Sequence, residues 1–250
     1  MAARTIYGRH AVEAALRAGP GRVERLWLAE GRRERALEAI ARMAAAAGVP
    51  VERVPRARLD RIAGDRHHQG VAARYRGPEP RGEGFLDGLL TSLAEPPLLL
   101  ALDGVEDPRN LGACLRTAEA AGAHAVLAPR DRAVGLTPAA VKAAAGAAER
   151  LPFVQVTNLA RTLERLRRDY GLRVVGADAG APLELYGADL RGPLVLVLGA
   201  EGRGLRRLTR ERCDALVRIP MAGAAESLNV SVAAAVLLYE ALRQRGAGDG

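Results

Sequence analysis

The sequence predicts an α/β protein of two units, a small α/β module followed by a larger unit built on a parallel sheet. Three observations carry this. From residue 98 onward short apolar runs alternate with amphipathic stretches, as a parallel sheet with crossover helices requires. Leu98 to Leu102, LLLAL, is an unbroken apolar run that suits a strand buried on both faces. Residues 77–83 read GPEPRGE, a proline- and glycine-rich stretch that can continue neither a helix nor a strand.

In the first unit the apolar spacing predicts a helix from Arg9 to Ala18, a strand from Val23 to Leu28, a second helix from Arg33 to Ala47 and a strand from Val51 to Val54. A short helix from Ala57 to Ala63 and a strand from Val71 to Tyr75 close a module assigned to residues 1–76. A linker is expected over 77–96, with a short helix around Phe85 to Leu93. The second unit, 97–245, is expected to hold strands at Leu98 to Leu102, Ala125 to Ala128, Phe153 to Val156, Arg173 to Ala177, Leu194 to Leu198 and Leu216 to Ile219. Its helices are expected at Leu111 to Ala121, Pro138 to Ala145, Leu159 to Tyr170 and Val230 to Arg245, with 246–250 a frayed tail.

Composition narrows the partners. The formal net charge is +8, and because Lys142 is the sole lysine nearly all the positive charge is arginine, whose planar fork grips phosphate with two hydrogen bonds. A polyanion, nucleic acid before acidic lipid, is the expected partner, although a biased genome composition produces the same excess. Aromatic residues make up 3% of the chain, too few for a platform on which successive bases stack. Cys114 and Cys213 do not form a disulfide framework, and the four histidines with these cysteines show no zinc spacing. His67 and His68 precede Gln69 and Gly70 and suit a turn or an RNA contact. The first residues lack the apolar core of a signal peptide and no run of eighteen apolar residues occurs, so a soluble, cytoplasmic protein without a membrane partner is expected. Neither a G-x-S-x-G elbow nor an H-E-x-x-H helix is present, which argues against those hydrolase classes.

Three segments combine glycine with uncommon polar residues directly after predicted buried strands, where open α/β sheets place their ligands. The first, DGVEDPRNLGACLR, carries Asn110 and Arg116, six residues apart and so not on one helix face; the loop must help them converge, or Asn110 simply caps the helix and Arg116 is solvated. The second, LGAEGRGL, holds Glu201 among three glycines, suited to close approach of a ligand or to a tight turn. The order G-x-x-G-x-G is not the dinucleotide fingerprint, and no phosphate-loop G-K-[ST] follows. The third, IPMAGAAESLNVS, contains Ser227 and Asn229, either of which could cap the last helix.

Taken together, NLGACLR, LGAEGRG and IPMAGAAESLNVS resemble the three motifs of the SpoU (TrmH) family of SPOUT RNA methyltransferases. The likeness extends to IYGRHAVEA, HQGVAAR and GAAERLPFVQVTNLAR, leaving only the linker and the 173–190 stretch without it. The resemblance implies a deep trefoil knot in the catalytic domain, which chain patterns alone argue against, and an L30e-like first unit that holds RNA. It implies a homodimer with the active site near the subunit interface, and S-adenosylmethionine as donor of a methyl group to the ribose 2′-hydroxyl of a guanosine in 23S rRNA, in the P loop of the peptidyl transferase centre. The resemblance implies no requirement for a metal. Carried over by motif, Asn110, Arg116, Glu201, Ser227 and Asn229 are the polar active-site residues, and backbone groups around Leu198, Gly199, Ile219, Met221 and Leu228 hold the donor's adenine and ribose. Arg203 receives no role.

Methyl transfer to a hydroxyl demands alignment of nucleophile, methyl carbon and sulfur, and removal of the hydroxyl proton. The family's assignment of Arg116 as base conflicts with a guanidinium pKa above about 12. Arg116 is therefore expected to bind the neighbouring phosphate and stabilise the forming alkoxide, with Asn229 and Ser227 orienting the hydroxyl. A transfer RNA methyltransferase of the same type is the nearest rival reading. A non-catalytic RNA-binding assembly factor is the rival from another class.

Overall fold

The structure is a computed structural model that describes residues 3–31 and 34–246. The chain divides into two compact units, at Glu79 and Pro80. The first contains β1 (Arg4–Tyr7), α1 (Arg9–Ala18), β2 (Val23–Ala29), α2 (Arg35–Ala46), β3 (Val51–Val54), α3 (Arg56–Ala63) and β4 (Val71–Tyr75). Its four-stranded sheet has the order β1-β4-β2-β3, with β4 antiparallel to both neighbours and β2 parallel to β3. Leu26, Leu28, Leu37, Ile40 and Tyr75 are fully buried between this sheet and its helices. The sequence reading missed β1, a four-residue edge strand in which Arg4 and Thr5 break the apolar signal before α1 begins.

The second unit contains α4 (Phe85–Ser92), β5 (Leu98–Asp103), α5 (Pro108–Ala120), β6 (Ala125–Pro129), α6 (Pro138–Ala143), α7 (Ala147–Arg150), β7 (Phe153–Val156), α8 (Leu159–Tyr170), β8 (Arg173–Ala177), β9 (Leu183–Glu184), β10 (Leu194–Gly199), α9 (Arg207–Glu211), β11 (Ala215–Arg218) and α10 (Val230–Gly246). Seven strands lie in the order β7-β6-β5-β10-β8-β11-β9, and every pairing among them is parallel. This is the parallel α/β fold expected. All six residues of β5 are buried, as the unbroken apolar run required.

Residues 80–96, expected within a linker, are built into this unit. Leu86 and Leu90 of α4 pack with Leu159, Leu163 and Leu166 of α8, and the Arg81 N–H donates to the Phe153 carbonyl at 2.8 Å. The apolar spacing of FLDGLL outweighs the glycine and proline before it, because burying each such leucine contributes about 1.5–3 kcal/mol. The short elements α7, α9 and β9 were not anticipated, since each is too brief to show a period. Of the expected tail only Gly246 is described; 247–250 lie outside the described residues, as does Arg33, the expected first residue of the second helix.

Two local devices set the packing near the site. On α8 the Asn158 side chain accepts the Arg161 N–H at 3.1 Å and Gly171 closes the helix in the left-handed region. On α5, a Cβ at Gly112 would lie 2.4 Å from the Ala140 carbonyl oxygen, so glycine is what lets α5 and α6 cross.

Candidate active site

The parallel sheet delivers its strand ends to one edge, and three of the predicted polar residues meet there. α5 begins at Pro108 and is capped by Asp107, whose Oδ1 accepts the Arg109 N–H at 2.9 Å. Asn110 is therefore not the cap, and its amide is free for other work. Asn110 Nδ2 donates to Glu201 Oε1 at 3.2 Å, and Asn229 Nδ2 donates to the same oxygen at 2.6 Å and to Asn110 Oδ1 at 3.1 Å. The orientation of the Asn229 amide is fixed from behind, because its Oδ1 accepts the Ser231 N–H at 2.9 Å and the Ser231 hydroxyl at 2.6 Å. Asn229 thus caps α10 with its oxygen and ties the cluster with its nitrogen.

Glu201 is held by the turn after β10. Ala200 and Gly204 pair across this turn, Gly202 and Gly204 have φ of 75° and 64°, and a Cβ on Gly199 would sit 2.0 Å from the Gly204 carbonyl carbon. Glycine at 199 is required by the chain's own closure, so the tight-turn reading suffices for it. The turn and the amide pair line a cavity of about 280 Å³ together with Gly104, Val105, Asp107 and Arg203. Arg203, given no role from sequence, lines the same cavity as Glu201; its position between Gly202 and Gly204 was the signal available.

Arg116 and Ser227 do not join this network. Arg116 is exposed, and among the described residues its side chain has no hydrogen bond or ion pair. The expected convergence with Asn110 fails because α5 runs unbroken from Pro108 to Ala120, so six residues turn the side chain by a net ~240°. Ser227 is likewise exposed on the segment between β11 and α10, without a hydrogen bond among the described residues.

The residues expected around a donor lie on two segments, the end of β10 and the chain that follows β11, with β8 between these strands in the sheet. Leu198 is buried and Gly199 half-buried at the end of β10; Ile219 packs on the core, Leu228 is half-buried and Met221 is 37% exposed. No backbone–backbone hydrogen bond among the described residues involves 220–228, so this segment's backbone groups are available to a ligand. Such uncommitted amides and carbonyls, with Ile219, Met221 and Leu228 on or beside the same stretch of chain, suit the polar edge of a purine.

Other candidate groups resolve into structural roles. His68 is buried, its Nδ1 accepting the Gly70 N–H at 3.0 Å and its Nε2 lying 2.8 Å from Asp60 Oδ1, so it fixes the turn, whereas His67 is exposed. Burial pushes the Cys114 and Cys213 thiols up to about 12, which leaves them unreactive near neutrality. Among the described residues no group of three or more His, Cys, Asp or Glu could hold a metal ion, and no helix is long and apolar enough to cross a membrane.

A parallel sheet with a glycine turn, an acidic residue and two asparagines gathered at its strand ends defines an α/β ligand-binding domain that follows a smaller α/β module in the sequence. The chain belongs to the SpoU rRNA Methylase family, whose model matches residues 97–239, while residues 5–81 match the RNA 2′-O ribose methyltransferase substrate binding domain. It is 55% identical over 242 residues to the 23S rRNA (guanosine-2′-O-)-methyltransferase RlmB of Pseudomonas syringae pv. tomato, covering 97% of this chain and 96% of that protein. The RlmB of Haemophilus influenzae is 49% identical, covering 96% of this chain and 97% of that protein. Among solved structures, the SpoU methyltransferase AviRb of Streptomyces viridochromogenes in complex with AdoMet aligns with a TM-score of 0.76 at 27% identity, covering 98% of this chain and 91% of that one.

Proposed function

We propose that this chain transfers a methyl group from S-adenosylmethionine to the ribose 2′-hydroxyl of a guanosine in 23S rRNA. The observation that carries this is the Asn110, Glu201, Asn229 network, assembled from the first turn of α5, the turn after β10 and the cap of α10, beside a segment with free backbone groups. Relatives about half identical over nearly the whole chain bear the corresponding activity in their names, and a solved neighbour holds the donor. When bound, S-adenosylmethionine supplies an electrophilic methyl group on a sulfonium. Leu198, Gly199, Ile219, Met221 and Leu228 would hold its adenine and ribose.

The chain's own part is positioning and electrostatics. Asn229, locked by Ser231 and Glu201, orients the hydroxyl, and Ser227 lies on the same segment. Arg116 grips the phosphate next to the target and stabilises the alkoxide as the proton leaves. Its exposed guanidinium, turned away from Asn110 on the same helix, is best used from a second subunit. A homodimer supports that arrangement: Val232, Tyr239 and Leu242 on α10 expose an apolar face. The first unit, bounded near residue 76, would hold RNA as an L30e-like module, the second would carry the knotted catalytic fold, and the reaction would take place in the cytoplasm. Mapping 2′-O-methylation on 23S rRNA after incubation with the wild type and with Asn229→Ala tests the reading. A methyl mark at one guanosine, lost with the variant, is expected; methylation of transfer RNA instead, or no binding of S-adenosylmethionine by calorimetry, would refute it.

A further inference from the structure

A second cavity, of about 330 Å³, adjoins the first along the chain: Asp103 lines it where Gly104 lines the other, and Arg206, Arg207 and Leu208 follow the turn that carries Glu201. Arg132 and Asn158 complete the wall relevant here. Asp103 ends β5 and is only 1% exposed. Its Oδ2 accepts the Arg206 N–H at 2.9 Å, but its buried Oδ1 has no hydrogen-bond partner. The nearest cation, Arg206 Nη1, stays 3.5 Å away, and Nη2 of that guanidinium is committed to the Arg132 carbonyl at 3.0 Å. A buried carboxylate oxygen without a donor is costly, and such a group is a prepared acceptor for an incoming N–H.

The rest of the wall says what kind of donor fits. Leu208 is 49% exposed and offers an apolar face. Arg132 adopts a φ of 55°, strained for a non-glycine residue, and its guanidinium makes no ion pair among the described residues. An apolar face, one buried acceptor and a free guanidinium suit a nucleotide whose base presents N–H donors while its phosphate meets arginine. Guanine has N–H donors on its pairing edge where adenine places an acceptor at N1.

We propose that this second cavity takes the base of the target guanosine, with Asp103 Oδ1 accepting from its pairing edge and Arg132 facing the adjoining phosphate. Asp103 is then a specificity-determining residue, and the inference rests on the methyltransferase reading above. If Asp103 only braced the turn through Arg206, base identity would not depend on it.

The test compares methylation of an rRNA fragment bearing guanosine or adenosine at the target position. Asp103→Asn keeps an oxygen for the Arg206 N–H and presents an amino group that suits adenine. The guanosine-to-adenosine ratio of kcat/KM should fall by about tenfold or more, with S-adenosylmethionine affinity unchanged. A ratio equal to that of the wild type overturns the proposal. Should Asp103→Asn fail to fold, Leu208→Trp at the exposed wall decides: a KM for the fragment raised about tenfold with unchanged Tm and donor affinity supports the cavity, and an unchanged KM overturns it. A wild type that binds the donor yet methylates no guanosine defeats the activity reading, and the cavity's role with it.

Discussion

Asn229 donates its amide hydrogen to the Glu201 carboxylate at 2.6 Å while its carbonyl oxygen caps α10 through Ser231, so one side chain joins a glycine turn to the start of a helix. The two jobs can be separated. Asn229→Ser retains a capping oxygen and loses the bond to Glu201; Asn229→Ala loses both. Activity should drop at least about 100-fold in each, a loss of ~3 kcal/mol in the transition state. Only the alanine variant should lose stability, by about 1 kcal/mol in urea denaturation. The donor's affinity should stay nearly intact in both.

Arg116 and Asn110 share α5 but face apart, which leads to a complementation result. Arg116→Ala and Asn229→Ala should each be inactive alone. Mixed one to one after unfolding and refolding together, they should recover roughly a quarter of wild-type turnover, because half of the dimers are mixed and each has one intact site. No recovery would place Arg116 in the site of its own chain. Arg116→Lys should also lose activity, since a single ammonium cannot replace the two-pronged guanidinium.

Gly112 allows α5 and α6 to approach until a Cβ would lie 2.4 Å from the Ala140 oxygen. Gly112→Ala should cost about 1–3 kcal/mol despite its better helix propensity. Thermal unfolding checks the sign: a higher Tm would mean that the helices separate easily.

Glu240 gives α10 an acid-sensitive tie. Arg243 donates to its carboxylate at 2.8 and 2.9 Å and Gln244 at 2.8 Å, holding it well below its ordinary 4.5, at about 2. A depressed folded-state value means the stabilisation is complete above about 4.5 and disappears as pH falls through about 2. Glu240→Gln should be less stable than the wild type at pH 7, and the gap between their denaturation midpoints should close as pH falls from 4.5 towards 2. A constant gap across that window would show that the carboxylate's charge contributes nothing.

Much of this was readable from the chain. The apolar runs at Leu98 and Leu194 place buried parallel strands because backbone alternation makes a two-faced burial visible as continuity. Asn110, Glu201 and Asn229 were identifiable by type and motif. The short elements β1, α7 and α9 were not, since four or five residues cannot display a period, and the helix α4, expected around Phe85 to Leu93, was assigned to a linker because of the prolines and glycines before it.

By itself the sequence determined the alternation of strands and helices, the basic arginine-rich surface and which polar residues stand after strands. Only the tertiary structure decided that Asp107 rather than Asn110 caps α5, that Arg116 faces away, and that Asp103 Oδ1 is left buried without a donor. The division has a physical cause. Burial and propensity act within a window of one element, whereas hydrogen bonds such as Asn229 to Glu201 and Asn229 to Asn110, 28 and 119 residues apart, exist only once the parallel strands have brought their ends to a common edge.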